Sequence, residues 1–137
     1  MEITYTEEKI FTMEQVRDLF LSVGWLSGEY PTRLYKAMMH SSMVLTAWDG
    51  EKLVGLVRVL DDSEMLAYIH CVLVHPDYHG KGIAGTMIEM TKEKYKDYLY
   101  IECMPDEREN APFYQKHGFE LMEDGVSMKL CNYANKI

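Results

Sequence analysis

Basic charge is in short supply. Against 22 acidic residues the chain carries 14 basic ones, a formal net charge of −8. Nucleic-acid-binding domains usually carry a basic patch or a high isoelectric point. Neither is present here, so nucleic acid is not an expected partner. An acidic surface suits cationic ligands such as amines instead. Long apolar runs are missing too. None approaches the roughly 18–20 residues of a transmembrane helix, and no membrane association is expected. The opening segment MEITYTEEKI is acidic and lacks the apolar centre of a secretory signal. Cysteine is scarce: Cys71, Cys103 and Cys131 are odd in number and have no C-x-x-C spacing. They read as reduced core cysteines of a cytoplasmic protein. No two histidines stand at metal-ligand spacing on a clear helix or strand face, so no metal is expected. There is no internal repeat, low-complexity stretch or long linker.

What remains is an ordinary globular composition, 47% apolar and 26% charged over 137 residues. That length fits one domain, 1–137, able to bury a core without staples.

The pattern along the chain gives an element order. Ile3–Lys9 alternates weakly, as a strand does. Thr12 with Gln15 three residues on forms a capping box, and Val16, Leu19, Phe20 and Val23 follow at helical spacing up to Gly24. Pro31 opens a second helix with Leu34, Tyr35, Met38 and Met39 on one face. Met43–Trp48 and Lys52–Leu60 flank an Asp49-Gly50 turn and form a hairpin. Met65–Val74 is a third strand after a polar turn. Lys81–Lys96 is a helix, Tyr98–Cys103 a strand, Asn110–His117 a short helix closed by Gly118, and Val126–Tyr133 a last strand. The fold class is therefore α/β of the α+β type, a central, mixed, mostly antiparallel twisted sheet flanked by helices.

Between the third strand and its following helix lies His75-Pro76-Asp77-Tyr78-His79-Gly80-Lys81-Gly82-Ile83-Ala84-Gly85. GKGIAG satisfies the dinucleotide fingerprint G-x-G-x-x-G, and Glu102 stands roughly 20 residues on, where a ribose-binding acid belongs. Five residues including a proline separate the strand from the first glycine, however. Only one β-α-β crossover is present, and the strands before it are joined by turns too short for parallel pairing. These facts argue against a nicotinamide or flavin site. The nucleotide-triphosphate motif fails because Lys81 is followed by Gly82 and Ile83. What survives is a glycine-rich turn running into a helix N-terminus. Its backbone N–H groups and helix dipole suit a phosphate or pyrophosphate.

Two motifs together carry a family resemblance. His79-Gly80-Lys81-Gly82-Ile83-Ala84 after Val74-His75-Pro76, and Asn110-Ala111-Pro112-Phe113-Tyr114-Gln115-Lys116-His117-Gly118-Phe119, stand in the order and spacing of the GCN5-related N-acetyltransferase (GNAT) superfamily. The element order matches over nearly the full chain, as for its short single-domain members. Position 79 departs from the pattern, with His where Gln or Arg is usual. The resemblance implies an acetyl-CoA cosubstrate. Backbone N–H groups from Gly80 through Gly85 would hold the pyrophosphate, with His79 and Lys81 beside them. The strand end Val72, Leu73 and Val74 would pair with the pantetheine arm and polarise the thioester carbonyl. Asn110 would touch the pantetheine.

Acetyl transfer needs a neutral amine, donors for the oxyanion and a proton for the leaving thiolate. The resemblance assigns the acid to Tyr114. Residues 68, 70, 72 and 74 are expected to share a face; the resemblance implies a base or a water-holding group at Tyr68 or His70 there, of which His70 titrates near neutrality, and Glu102 on the next strand is a second candidate through a water. Nothing marks Cys71 or Cys103 as an activated nucleophile. The loop Gly24–Tyr30 lines the acceptor side in this fold. Trp25, Tyr30 and Tyr35 would form an aromatic wall, with Glu29 holding an ammonium, or Trp25 would plug the core. The flanking glycines suggest a lid. Two functions follow: an enzyme acetylating a small-molecule or protein amine, or a non-catalytic acyl-CoA-binding module. A homodimer is expected by analogy with relatives.

Overall fold

The computed structural model describes residues 2–132. The chain divides into two compact units, Met1–Cys103 and Met104–Ile137.

The first unit is built on β1 (Ile3–Thr6), α1 (Met13–Ser22), α2 (Pro31–Met39), β2 (Met43–Asp49), β3 (Lys52–Asp61), β4 (Leu66–Val74), α3 (Ile83–Lys94) and β5 (Tyr100–Cys103). The strands lie in the order β1-β2-β3-β4-β5. The first three joints are antiparallel and the last is parallel. Connection length explains the joints from β2 onward; β1 and β2 are antiparallel across a long connection that holds α1 and α2. Short turns reverse the chain from β2 to β3 and from β3 to β4, whereas α3 carries it back over the sheet before β5. This is the mixed, mostly antiparallel sheet that the sequence implies.

The capping box forms as expected. Thr12 Oγ1 accepts from the Gln15 N–H at 3.1 Å, and Gln15 Oε1 accepts from the Thr12 N–H at 2.8 Å. Such a cap contributes about 1 kcal/mol. Beyond it Val16, Leu19 and Phe20 are buried, and α2 adds Leu34 and Met38. Met39, expected on the same face, turns outward. These helices cover one face of the sheet, against Val44, Trp48, Leu56, Cys71 and Leu73. On the other face α3 closes down over Gly55. A Cβ at Gly55 would lie 3.1 Å from Met87 Cε and 3.2 Å from Ile83 Cγ2. The absent side chain is what admits the helix this closely.

Helix α3 begins at Ile83, two residues later than the expected Lys81. Gly80 and Gly82 both adopt φ of +79°. That is left-handed backbone, which glycine reaches without strain and a right-handed helix excludes.

A second correction concerns β4. Arg58 of β3 pairs with Cys71, and the next residue, Val59, pairs with Ile69. His70 is therefore an extra residue, a β-bulge. A slip of one residue turns every later side chain to the opposite face. Before the bulge Tyr68, opposite Leu60, lies on the α1/α2 side. After it Cys71 and Leu73 lie there, while Val72 and Val74 lie opposite Val57 and Gly55 on the α3 side. The expectation that 68, 70, 72 and 74 share one face is thus overturned.

In the second unit a 3-10 turn, Arg108–Asn110, runs into α4 (Ala111–Lys116). Gly118, at φ +93°, ends it, and the Phe119 N–H donates to the Tyr114 carbonyl at 3.0 Å. The expected strand Val126–Tyr133 is not found. Residues 126–132 are exposed and pair with no strand among the described residues, and Tyr133 lies outside them. Alternation of Val126, Met128 and Leu130 supplies strand character, but a strand exists only by pairing.

Candidate active site

Strand β4 and the loop after it make the first part of the site. β5 pairs with β4 only from Leu66 to Ile69. Among the described residues β4 runs on to Val74 paired with β3 alone, so Val72, Leu73 and Val74 present an edge past the end of β5. This open edge leads straight into the glycine loop. Pro76–Tyr78 forms one 3-10 turn, and Gly80, Lys81 and Gly82 then lead into α3. Gly82 is the N-cap and offers no side chain to the helix. The N–H groups of the first turn, Gly82 through Gly85, thus have no intrahelical acceptor by helix geometry. A Cβ at Gly80 or Gly82 would meet nothing within 4 Å, so the space beside both glycines is open. Open backbone donors at the positive end of a helix dipole form an anion cradle.

Side chains set the loop's shape from behind. The Tyr78 hydroxyl donates to Asp49 Oδ2 at 2.5 Å, and that acceptor raises the phenol above its ordinary range. Lys52 Nζ lies 5.4 Å from the centre of the Tyr78 ring. His79 Nε2 lies 2.7 Å from the Val74 carbonyl oxygen. A carbonyl only accepts, so Nε2 carries the proton and donates. At the position where His departs from the family pattern, the imidazole ties the loop to the end of β4.

The second part of the site lies on the α1/α2 side. Tyr68 is in register with Glu102 of β5 and Leu60 of β3. The ring of His70 is 6.5 Å from that of Tyr68. Arg58 Nη1 lies 2.8 Å from His70 Nδ1, and Arg58 Nε donates to Ser41 Oγ at 2.8 Å. The Ser41 hydroxyl in turn donates to the Ala37 carbonyl at 2.7 Å. Cys71 Sγ lies 3.1 Å from the same His70 Nδ1. So His70 and Glu102, two residues singled out from the sequence, share one side of the sheet. Arg58 and Ser41 were not singled out. The available signal was a lone cation inside the apolar run Leu53-Val54-Gly55-Leu56-Val57-Arg58-Val59-Leu60. Cys103 lies half-buried on β5, and burial pushes its thiol up to about 11. It is a protonated thiol at neutral pH, not a nucleophile.

Of the acceptor-side residues, Trp25 packs edge-on against Phe20, ring centres 5.6 Å apart, and is partly buried against the core. It plugs the core. Leu26–Glu29 forms a 3-10 turn, and a Cβ at the buried Gly28 would meet Leu21 Cδ2 at 2.8 Å. The segment is packed onto α1. Glu29 is exposed at its end and Tyr30 half-buried. In the second unit Tyr114 is half-buried, edge-on to Phe113 and Phe119 at 5.0 and 5.8 Å. Asn110 is exposed just before α4.

Comparison with known proteins is consistent across sequence and structure. The family model described as "Acetyltransferase (GNAT) family" matches residues 10–119, a span reaching into both units. A Porphyra purpurea protein described as an uncharacterized N-acetyltransferase, ycf52, is 29% identical over 123 residues, 85% of this chain and 68% of that one. A GNAT-family acetyltransferase of Streptococcus pneumoniae superposes with a TM-score of 0.79 at 26% identity, covering 96% of this chain and 99% of that one. A Staphylococcus aureus protein gives a TM-score of 0.84 at 22% identity, over 95% and 99% of the two chains, a likeness of fold.

Proposed function

The chain belongs to the GNAT acetyltransferase family, and from that premise we propose that it transfers acetyl directly from acetyl-CoA to a primary amine of a small molecule or protein. One observation carries this reading: the open edge Val72–Val74 is joined by one short 3-10 turn to the glycine turn at the start of α3. An extended pantetheine arm fits such an edge as an added strand. The pyrophosphate fits the N–H groups of Gly80 through Gly85, with Lys81 supplying a nearby positive charge. Ile83 and Ala84 contribute backbone there, since the Ile83 side chain is buried beneath. His79 shapes the loop through Val74.

The chemistry then follows. The amine nitrogen attacks the thioester carbonyl carbon, and the oxyanion is held by backbone donors at the β4 edge. The intermediate collapses with cleavage of the C–S bond. Tyr114 hands its phenolic proton to the departing thiolate, as its family motif implies. His70 and Glu102 are the groups available to take the ammonium proton. Asn110 contacts the pantetheine, while Glu29 and Tyr30 face the acceptor.

Thermal unfolding with acetyl-CoA, CoA and NAD in parallel tests the cradle. A ligand at about 100 times its Kd adds roughly 2.7 kcal/mol, several degrees in Tm at this size. The two CoA species should stabilise and NAD should not. Stabilisation by NAD alone overturns the reading. Thiol release with a panel of amines tests the chemistry. Tyr114→Phe should lower kcat about 100-fold with little change in acetyl-CoA affinity. CoA binding without thiol release from any amine would leave a binding module.

A further inference from the structure

Resting on that proposed acetyl transfer, the geometry points to Arg58 as a positioning residue that fixes His70 as an Nε2–H hydrogen-bond donor, so that deprotonation of the acceptor falls to Glu102. Arg58 is half-buried in the middle of β3. Its guanidinium is held at two points. Nε donates to Ser41 Oγ at 2.8 Å, and Ser41 is itself buried and anchored to the Ala37 carbonyl at 2.7 Å. Nη1 meets His70 Nδ1 at 2.8 Å. A planar group gripped at Nε keeps Nη1 aimed at the ring.

A guanidinium has five donors and no acceptor. The contact at 2.8 Å is a hydrogen bond only if Nδ1 presents its lone pair. In a neutral imidazole the proton then sits on Nε2. Cys71 agrees with this assignment. Its Sγ lies 3.1 Å from the same nitrogen, where the thiol S–H can add a second, weak donor. A general base must turn its lone pair toward the proton it takes. The lone pair of His70 is turned toward Arg58. The ring's remaining nitrogen is a donor, suited to a carbonyl or developing oxyanion rather than to an ammonium. Glu102, one strand away and in register with Tyr68, is the carboxylate on the same side of the sheet.

The bulge makes this arrangement possible. Without the extra residue, position 70 would follow the ladder and the contact from β3 would fall on a different side chain.

The tautomer is read directly by long-range 1H–15N NMR on the full chain labelled with 15N-histidine, with His70→Gln used to assign the signal. The wild type should show a bare Nδ1 and a protonated Nε2, and Arg58→Met should shift the ring toward protonation at Nδ1. A wild-type ring protonated at Nδ1, or a tautomer unmoved in Arg58→Met, overturns the proposal. Should Arg58→Met not fold, the wild-type spectrum and a second pair of variants decide. Gln places an amide N–H near the position of Nε2, and Asn places one near Nδ1. For a donor, His70→Gln keeps kcat/KM within about fivefold and His70→Asn loses more. For a base, both lose about 100-fold or more, and that result also overturns the proposal. Glu102→Gln should lose about 100-fold; full activity in that variant removes Glu102 as the base. If the wild type releases no thiol with any amine, acetyl transfer itself fails, and the spectrum still decides the tautomer.

Discussion

The two ends of β4 are held by turns of opposite design. At its start, the turn from Asp61 to Leu66 satisfies itself. Asp62 Oδ1 accepts from the N–H groups of Met65, Glu64 and Leu66 at 2.7, 2.9 and 3.1 Å, and Asp61 Oδ1 accepts from Ser63 N–H at 2.9 Å. Ser63 tolerates φ of +68° inside that net. At the other end, the loop from Pro76 to Gly82 satisfies nothing with its own carboxylates. Its N-cap is a glycine, and its side-chain bonds run backwards, from Tyr78 to Asp49 and from His79 to Val74. A turn that only reverses the chain consumes its backbone donors. The Pro76–Gly82 turn instead keeps its shape by contacts behind the backbone and leaves the N–H groups at the start of α3 unconsumed by a side-chain cap, as the proposed anion site requires.

The largest effect should come from making the second turn resemble the first. Gly82→Asp would place a carboxylate at the N-cap, where it accepts the helix N–H groups itself and repels pyrophosphate. Like charges in contact cost several kcal/mol, so CoA affinity by calorimetry should fall about 100-fold or more. Asp accepts left-handed backbone better than most residues, so the melting temperature should change little. Unchanged CoA affinity would show that the cradle lies elsewhere.

The converse change is Asp62→Ala. It should lower the melting temperature by a few degrees and leave CoA affinity alone. This turn also has a pH signature. The N–H groups of Met65, Leu66 and Glu64 hold the Asp62 carboxyl below its ordinary 3.8. A depressed carboxylate contributes stability that is complete above the ordinary value and is lost as pH falls through the lowered one. Acid unfolding below about pH 4 should therefore be less steep in Asp62→Ala. An identical acid profile would remove Asp62 from the account. The smallest effect is expected for Tyr78→Phe, which loses one support behind the cradle. CoA affinity should drop roughly threefold with no change in kcat at saturating cosubstrate.

The same contrast explains what could be read in advance. The loop was legible because its information is local: a glycine with left-handed backbone announces itself by being glycine, at a fixed offset from Pro76. The capping box at Thr12 and the hairpin at Asp49-Gly50 were legible for the same reason. The strand Val126–Tyr133 was read from alternation alone, a necessary feature of a strand and not a sufficient one. Trp25 carries no such local signal: its edge-on contact with Phe20 comes from packing against the core.

Local signals in the sequence encode the order of the elements up to α4, the antiparallel sense of the β2–β3 and β3–β4 pairings through their short turns, and the position of the glycine turn before α3. Only the tertiary structure decided which way β4 faces after Ile69. Ala67, Ile69, Cys71 and Leu73 alternate as buried positions without a break across the bulge at His70. Helices pack on both faces of the sheet, so Ala67 and Ile69 are buried on one side and Cys71 and Leu73 on the other, and the pattern of apolar residues cannot record the flip. The consequence is that His70, Arg58 and Ser41 meet through pairings between β3, β4 and the end of α2. Contacts of that kind join residues far apart in the chain, and no local spacing encodes them.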